Sequence, residues 1–457
     1  MANEIADKKK HIVIVGGGPV GALNACYLSR RGFKVDLYEG RNDIRQEENA
    51  TGRSINLALS CRGIAALNHV GLDKRVMALG IPMKARMIHL PNGELYSVPY
   101  GKTGQHLLSI DRLQLNKDLL TVASSQPNVS IHFNTKLINC DIKKAKATFS
   151  KKDGAEITTT SDAIFGCDGA FSAVRRQMQR GVFNYSQEYI QHGYKELTIP
   201  STKNGEFAMA ANYLHIWPRH EFMMIGLPNQ DKSFTVTLFM PFTKFNALTK
   251  GDEVVEFFKE VFPDSLPLIG EELLREDFFK LPALSLVSVK CSPYHCGNTV
   301  ALFGDAAHAV VPFFGQGLNG SLEDVLVFDG IMEKHENDFD KVLPEYTKVR
   351  CKDGQALADL SKQNYIEMRS SVVSLWFLFR KKVDNILTTV LPSMFVPKYS
   401  MVAFTRTPYH QVILQSKRND KIINTALLVF ALFMIGACFC LFTSYKDGSV
   451  TDSKTEL

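Results

Sequence analysis

A glycine-rich turn between two short apolar segments constrains the fold of this chain more than any other feature. His11–Val15 is a run rich in β-branched residues, and it ends at the loop GGGPVG, residues 16–21. A helical pattern follows over Ala22–Arg31, and Lys34–Tyr38 resumes strand character ahead of Glu39. This order predicts a complete βαβ unit and therefore a Rossmann-like, dinucleotide-binding domain of the α/β class.

The spacing of the glycines indicates a phosphate-binding turn. Gly16 permits the tight turn, Gly18 lets the backbone approach a pyrophosphate, and Gly21 lets helix and strand pack closely. The N–H groups at the start of the helix then face the phosphates. Glu39 is placed to accept hydrogen bonds from the hydroxyls of an adenosine ribose. The motif does not distinguish a nicotinamide from a flavin dinucleotide, because both carry an ADP half.

The bulk composition excludes several classes of protein. A chain of 457 residues exceeds one hydrophobic core, so two or three domains are expected. The net charge is +6, but the basic residues are scattered, so nucleic acid is not implied. Nine cysteines without a CxxC pair predict reduced thiols and no metal site. The polar segment Met1–Lys10 leads straight into the first strand and leaves no room for a signal peptide.

A long uncharged segment near the C-terminus predicts a membrane anchor. Thr425–Phe442 contains 18 residues without a charge and would rise about 27 Å as a helix, close to the hydrocarbon thickness of a bilayer. Basic residues at 417, 418 and 421 precede it and Lys446 follows, which favours a large domain left in the cytosol. The alternative is a buried core helix. Upstream, Val372–Phe379 is interpreted as core, with contact to a membrane as the alternative.

Three distant segments accompany the glycine turn: Arg112-x-x-Leu115 at the start of a predicted helix, Asp168-Gly169, and Gly304-Asp305. In this order the four motifs resemble those of the flavoprotein aromatic hydroxylases, over roughly residues 12–350. The resemblance implies tightly bound FAD, NADPH as a transient co-substrate, and O2. A second GxGxxG spacing at residues 315–320 lacks a following strand and acid, so it predicts a helix start beside the flavin ring.

The resemblance also assigns individual residues to the flavin. They are Gly16, Gly18, Val20, Gly21, Tyr38, Glu39, Gly40, Arg41, Ala58, Arg112, Asp168, Asp305, Leu318 and Asn319. A narrower likeness to one member of the family, in segments 52–59, 80–89, 213–217 and 364–369, implies an aromatic amino acid as the substrate. Its carboxylate is expected to pair with the guanidinium of Arg86, and Tyr100, Asn364 and Tyr399 are expected to complete the substrate site. No acid–base catalyst is assigned, because the cofactor carries the chemistry.

The flavin motifs are spread along the chain, so an interleaved arrangement of domains is expected. Short apolar runs between the motifs, such as Tyr213–Trp217, are typical of an antiparallel sheet that covers the substrate. The predicted division is an FAD-binding domain from residues 1–75, 105–185 and 290–380, a substrate-binding sheet from 76–104 and 186–289, a helical region at 381–424, a transmembrane helix at 425–442 and a polar tail at 443–457.

Two other functions fit parts of this pattern. A flavin hydroxylase or epoxidase of a quinone precursor or another lipid would also use a membrane anchor, but Arg86 favours an anionic substrate. A non-catalytic binding module, as in the Rab-escort proteins, would share the fold, but the intact Asp168-Gly169 and Gly304-Asp305 motifs favour a working flavin. The resemblance further implies the mitochondrial outer membrane, with the catalytic domain facing the cytosol. It leaves the oligomeric state open.

Overall fold

The computed structural model describes residues 10–47, 56–100, 104–369, 375–391 and 395–451. The strands are β1 (His11–Val15), β2 (Lys34–Tyr38), β3 (Leu57–Leu59), β4 (Ile81–Met83), β5 (Ala85–His89), β6 (Leu95–Pro99), β7 (Leu107–Ile110), β8 (Val129–His132), β9 (Thr135–Asp141), β10 (Lys146–Lys151), β11 (Glu156–Thr160), β12 (Ala163–Gly166), β13 (Asn184–Ile199), β14 (Tyr213–Arg219), β15 (Phe222–Pro228), β16 (Phe234–Pro241), β17 (Leu284–Ser292), β18 (His295–Cys296) and β19 (Val300–Leu302). The helices are α1 (Pro19–Arg30), α2 (Cys61–Asn68), α3 (Asp73–Leu79), α4 (Arg112–Ser124), α5 (Ala173–Met178), α6 (Phe242–Ala247), α7 (Gly251–Val261), α8 (Leu266–Ile269), α9 (Glu271–Lys280), α10 (Asp305–His308), α11 (Gly317–Lys334), α12 (Phe339–Arg369), α13 (Leu375–Val390), α14 (Lys398–Phe404) and α15 (Tyr409–Thr451).

A six-stranded sheet forms the first layer of the fold, in the order β18-β19-β12-β1-β2-β8. All neighbours are parallel except β18 and β19. The sheet packs into one core with side chains of α1, α11 and α12, which explains why its central strands read as unbroken apolar runs. The predicted βαβ unit is confirmed. Helix α1 begins at Pro19, earlier than the predicted Ala22, because the fixed φ of proline suits the first turn of a helix.

A seven-stranded sheet forms the second layer, in the order β17-β13-β16-β15-β14-β5-β6. The predicted antiparallel runs are present as β14, β15 and β16. One pair, β14 with β5, is parallel, because β5 comes from a distant part of the chain. One face of this sheet packs through Trp217 and Phe234 against α7, α8 and α9, and the other face carries Ile88 and Phe239 toward Phe313. The mixed α/β fold class is therefore confirmed, while the exact domain boundaries stay a prediction.

The C-terminal part is helical, as expected. Helix α12 begins at Phe339, and α15 continues from Tyr409 through the predicted anchor to Thr451. Residues 443–451 of the predicted polar tail thus extend this helix, and 452–457 lie outside the described residues. The most apolar window of α15 has a mean hydropathy of 2.4, and only 6% of it is buried. Such exposure fits association with a membrane and argues against a core helix.

Candidate active site

Three motifs that are far apart in the sequence meet where strands β1, β12 and β19 end. These strands are parallel neighbours, so the segments that follow them lie along one edge of the sheet. A Cβ atom added to Gly16 would lie 2.5 Å from the carbonyl oxygen of Cys167 and 2.9 Å from the Cα of Asp168. A Cβ atom added to Gly304 would lie 3.1 Å from Cγ2 of Val20. The glycine turn, the Asp-Gly motif and the Gly-Asp motif therefore line one crevice.

The glycine turn leaves room for a ligand on one side only. Gly16 has a φ of 105°, which favours glycine, and a Cβ on Gly21 would lie 1.9 Å from the carbonyl oxygen of Gly16. Both glycines are thus required by the polypeptide itself. A Cβ on Gly18, in contrast, would meet no protein atom within 4 Å. The open space at Gly18, beside the N-terminus of α1, fits a pyrophosphate.

Two carboxylates lie at this edge. Glu39 accepts hydrogen bonds from the backbone N–H groups of Gly17 (2.7 Å) and Arg41 (2.9 Å). Burial raises the pKa of Glu39, but the hydrogen bonds from Arg41 outweigh it and hold the pKa below its usual value. Asp168 accepts from the N–H of Ala173 (2.6 Å) through Oδ2, whereas its Oδ1 is buried without a hydrogen-bond partner, and burial raises its pKa. A hydrogen-bond donor on a bound molecule would satisfy a buried acceptor of this kind.

The start of α11 forms a second side of the crevice. Asn319 donates to the carbonyl oxygen of Ala58 (2.8 Å) and accepts from the N–H of Ser60 (2.8 Å), which ties α11 to β3. Leu318 beside it is half-buried. A Cβ on Gly304 would lie 3.2 Å from Ser321 of the same helix. The predicted helix start is confirmed, and the partial positive charge at a helix N-terminus favours negative charge nearby.

Other predicted flavin residues are placed differently. The ring of Tyr38 stacks in the core between Phe149 (3.9 Å) and His132 (4.5 Å), so its link to the glycine turn is its carbonyl oxygen, which accepts from the N–H of Gly16 at 2.8 Å. The Tyr38 side chain therefore has a packing role. A contact between the flavin cofactor and the backbone of Tyr38 stays a prediction.

Three further positions lie on the surface or at helix starts. Gly40 and Arg112 are exposed, and Arg112 is the first residue of α4, which packs against α1. Asp305 is the first residue of α10 and is half-buried. The flavin contacts of all three stay predictions.

The predicted substrate residues include one compact cluster. The guanidinium of Arg86, on β5, lies 4.2 Å from the ring centre of Tyr399 and 5.8 Å from that of Tyr100. The two phenol rings stack at 5.4 Å. Nε of Arg86 and the hydroxyl of Tyr100 are buried without hydrogen-bond partners. Burial lowers the pKa of Arg86, but Tyr399, Tyr100 and Glu367 outweigh it and raise the pKa above its ordinary value. A buried cation with an unused donor suits an anionic ligand.

Asn364 is connected to this cluster by a short turn. Its Nδ2 donates to the carbonyl oxygen of Phe313 at 2.7 Å, and Phe313 stacks on Tyr365 at 3.8 Å. The next residue, Phe314, is 5.5 Å from the ring of Tyr399. The turn Pro312–Phe314 thus connects the substrate cluster with the start of α11.

A buried ionic network behind the crevice was not found from the sequence. Asp324 of α11 accepts from the N–H of Gly304 (2.9 Å) and pairs with His308 (2.6 Å) and Arg350 (2.7 Å). Burial lowers the pKa of His308, but Asp324 outweighs it and raises the pKa above its ordinary value. The partners are too far apart in the chain for any local pattern to reveal them.

The network continues to the segment that carries Tyr399. Arg62 is fully buried and donates to Glu323 (2.8 Å) and to the carbonyl oxygens of Val402 (3.0 Å) and Thr407. Its guanidinium lies 4.1 Å from the ring centre of Tyr409, the first residue of α15. Arg62 therefore fixes the position of the segment that connects the substrate cluster to the anchor helix.

The crevice and the fold define an FAD-binding protein. The family model described as "FAD binding domain" matches residues 9–360. Among solved structures, a tetrameric form of 2-methyl-3-hydroxypyridine-5-carboxylic acid oxygenase is similar with a TM-score of 0.65 at 20% identity, covering 80% of this chain and 94% of that one. The p-nitrophenol 4-monooxygenase of Pseudomonas putida is similar with a TM-score of 0.66 at 18% identity, covering 83% and 94%. These two likenesses show the shared fold.

Curated relatives are much more similar in sequence. A kynurenine 3-monooxygenase of Sus scrofa is 52% identical over 96% of this chain and 92% of its own length. A kynurenine 3-monooxygenase of Anopheles gambiae is 46% identical over 93% of this chain and 88% of its own length. The chain belongs to the kynurenine 3-monooxygenase family.

Proposed function

We propose that this chain hydroxylates L-kynurenine to 3-hydroxy-L-kynurenine, with FAD as bound cofactor and NADPH and O2 as co-substrates. The observation that carries the proposal is the buried Arg86 cluster, with an unused guanidinium donor, in a member of this family. FAD, when bound and reduced by NADPH, supplies the oxygen chemistry. One oxygen atom of O2 enters the ring carbon beside the aromatic amine, and the other leaves as water with the two electrons of NADPH.

The residues of the substrate cluster bind and orient. Arg86 is proposed to pair with the carboxylate of the amino acid, and Tyr100 offers a buried hydroxyl for a second hydrogen bond. Tyr399 closes the same side with its ring. Asn364 acts through the turn at Phe313, whose position its amide fixes. The aromatic walls also exclude water, which protects reactive species from side reactions.

The proposed cofactor residues divide by what each one offers. Gly18 leaves the space for the pyrophosphate, and Glu39 and Asp168 offer carboxylate oxygens to hydroxyl groups of FAD. Asn319 orders the start of α11, whose N–H groups favour negative charge on the flavin ring. Electrostatic stabilisation by groups that are already in place is the main contribution expected from the protein.

The direct test follows two quantities in one reaction. Purified protein loaded with FAD is mixed with NADPH and L-kynurenine, and NADPH oxidation is compared with 3-hydroxykynurenine formed. We expect one product per NADPH and a rate that depends on kynurenine. NADPH oxidation with no hydroxylated product would contradict the proposed reaction. A preference for a quinone precursor over kynurenine would favour the lipid-hydroxylase alternative, which the buried cation of Arg86 does not support.

The chain is further proposed to reside in the mitochondrial outer membrane, with the catalytic domain in the cytosol. The support is the apolar, exposed window of α15, the basic residues Lys417, Arg418 and Lys421 before it, and the family resemblance. Protease added to intact mitochondria should digest the catalytic domain. Protection of that domain until the outer membrane is opened would contradict the orientation.

A further inference from the structure

We propose that His89 and His215 share one extra proton, and that this proton holds strand β5 in the position from which Arg86 binds the substrate. The inference rests on the substrate role proposed above for Arg86 and adds two positioning residues behind it. Its consequence is an affinity for kynurenine that falls as pH rises.

The two histidines belong to a hydrogen-bonded row that crosses the seven-stranded sheet. Nδ1 of His89 lies 2.7 Å from Oδ2 of Asp264, and Nε2 of His89 lies 2.9 Å from Nδ1 of His215. At the other end, Nε2 of His215 lies 2.8 Å from the carbonyl oxygen of Ala210. Both histidines are buried, so water does not replace these partners.

The number of protons in the row follows from its two ends. A carbonyl oxygen and an ionised carboxylate only accept hydrogen bonds, so each end needs an N–H group on the ring that faces it. The contact between the two rings needs a further N–H group, which makes three in all. Two neutral imidazole rings supply one N–H group each. The row therefore contains one extra proton, and the positive charge of that proton is balanced by Asp264.

The pKa shifts agree with this count. Burial raises the pKa of Asp264, but hydrogen bonds from His89 and Trp217 outweigh it and hold the pKa below its usual value, so Asp264 is the ionised partner. Burial, with a smaller contribution from the charge of His89, lowers the pKa of His215 to about 4. His215 therefore stays neutral near pH 7, and the extra proton lies on His89.

Arg219 and Tyr213 also face the row. Nη1 of Arg219 donates to the carbonyl oxygen of His89 at 3.0 Å, and its Nη2 lies 3.9 Å from Oδ1 of Asp264. The ring of Tyr213 lies 6.4 Å from that of His215. The side chain of Asp264 is 22% exposed, so the row can exchange its proton with solvent at that end.

The row is coupled to Arg86 through strand β5. Arg86 and His89 lie three residues apart on β5, so they point to opposite faces of the sheet. His89 stacks on Trp217 at 3.9 Å, on the face that packs against α7, α8 and α9. Asp264 lies in the turn between α7 and α8, and His215 lies on β14, the parallel neighbour of β5. The row therefore holds β5 from behind, while Arg86 faces the substrate cluster.

Loss of the extra proton leaves one contact of the row without a hydrogen, so two lone pairs face each other in a buried place. The lost hydrogen bond and this repulsion are relieved when His89 moves, and β5 moves with it. Binding of a carboxylate by the rigid fork of Arg86 depends on geometry, so the affinity for kynurenine falls. The affinity is full below the pKa of the pair and is lost as pH rises through it.

The test is the dissociation constant of kynurenine, measured from about pH 5.5 to about pH 8.5 on the full-length protein loaded with FAD, because Arg86 and the carboxylate of kynurenine stay charged over this range. The amine of kynurenine titrates equally for every variant. His89→Gln cannot hold the extra proton, and Asp264→Asn keeps an acceptor but removes the negative charge. The control is His335→Gln, which breaks another pair of a histidine and a carboxylate, with Glu345 at 2.5 Å, beyond the C-terminal end of α11.

We expect the affinity of the unchanged protein to fall several-fold as pH rises, and His335→Gln to behave in the same way. His89→Gln should bind kynurenine weakly with no dependence on pH. Asp264→Asn should lose affinity at a lower pH than the unchanged protein, because no negative charge stabilises the extra proton. A purely structural role of Asp264 would not move this midpoint.

An affinity of the unchanged protein that does not depend on pH would overturn the inference and leave the proposed function intact. The pH profile of the unchanged protein, if kept by His89→Gln or by Asp264→Asn, would do the same. Absorbance of bound flavin shows which variants are folded, and if His89→Gln does not retain FAD, the midpoint of Asp264→Asn decides. No binding of kynurenine by the unchanged protein at any pH would overturn the proposed function as well.

Discussion

Replacing Arg62 by methionine should lower the unfolding temperature by about 3 °C. Methionine fills much of the same volume, so the loss comes from hydrogen bonds to Glu323, Val402 and Thr407 and from the contact with Tyr409. Removing one partner of a buried ion pair costs roughly 3–5 kcal/mol. The lower end applies here, because Glu323 keeps contacts to two other arginines at 3.4 Å and 3.3 Å.

The temperature shift follows from the size of the chain. Unfolding entropy is about 2.1 cal/mol/K per residue, which gives about 1 kcal/mol/K for 457 residues. A loss of about 3 kcal/mol thus moves the midpoint by about 3 °C. The assay is circular dichroism during heating, at one scan rate for all variants. The expected affinity for kynurenine also falls, because Val402 and Thr407 follow Tyr399 in the chain.

The matched control is Arg406→Met. Arg406 contacts the same Glu323 at 3.3 Å, but its side chain is 46% exposed, so its ion pair is worth less than about 1 kcal/mol. We therefore expect a shift below about 1 °C. Equal shifts for Arg62→Met and Arg406→Met would refute the reasoning that burial gives Arg62 its importance.

The glycine turn gives a pair of variants with opposite outcomes. Gly18→Ala should keep the fold but lose FAD, which the absorbance of bound flavin would show. Gly21→Ala should unfold more easily even without FAD, which heating would show. Arg86→Ala should keep FAD but bind kynurenine roughly 2–5 kcal/mol more weakly in a titration, and unchanged binding would remove Arg86 from the substrate site. The raised pKa of His308, caused by Asp324 against the effect of burial, stabilises the fold fully below about pH 6.5 and less as pH rises through the folded pKa. The stability difference between the unchanged protein and His308→Gln should therefore shrink as pH rises, and a difference independent of pH would contradict the ion pair.

The sequence was sufficient for features that depend on local order. The strand, glycine turn and helix around Gly16 follow from neighbouring residues, because a βαβ unit is built within about 30 residues. The start of α11 was predicted for the same reason, since a second GxGxxG spacing without a following strand leaves only a helix N-terminus.

Features that depend on distant partners could not be predicted. The parallel pair β5 and β14 joins segments that have no common pattern, and β13 was missed because its exposed polar residues hide the alternation of a strand. In the sequence Arg62 cannot be distinguished from an ordinary helical arginine, because its hydrogen bond to Thr407 is visible only in the folded chain. The proposed substrate residues were assigned only through the family resemblance, because an isolated arginine or tyrosine carries no signal of its own.

Helix α15 runs without a break from Tyr409 to Thr451. About 16 residues, or roughly 24 Å at 1.5 Å per residue, separate Tyr409 from the entry into the hydrocarbon at Thr425. A continuous helix of this kind has no hinge about which the catalytic body could rotate. In the proposed membrane orientation the catalytic body is presented at one height and one tilt above the lipid, so a protein diffusing in the same membrane would meet it from the side.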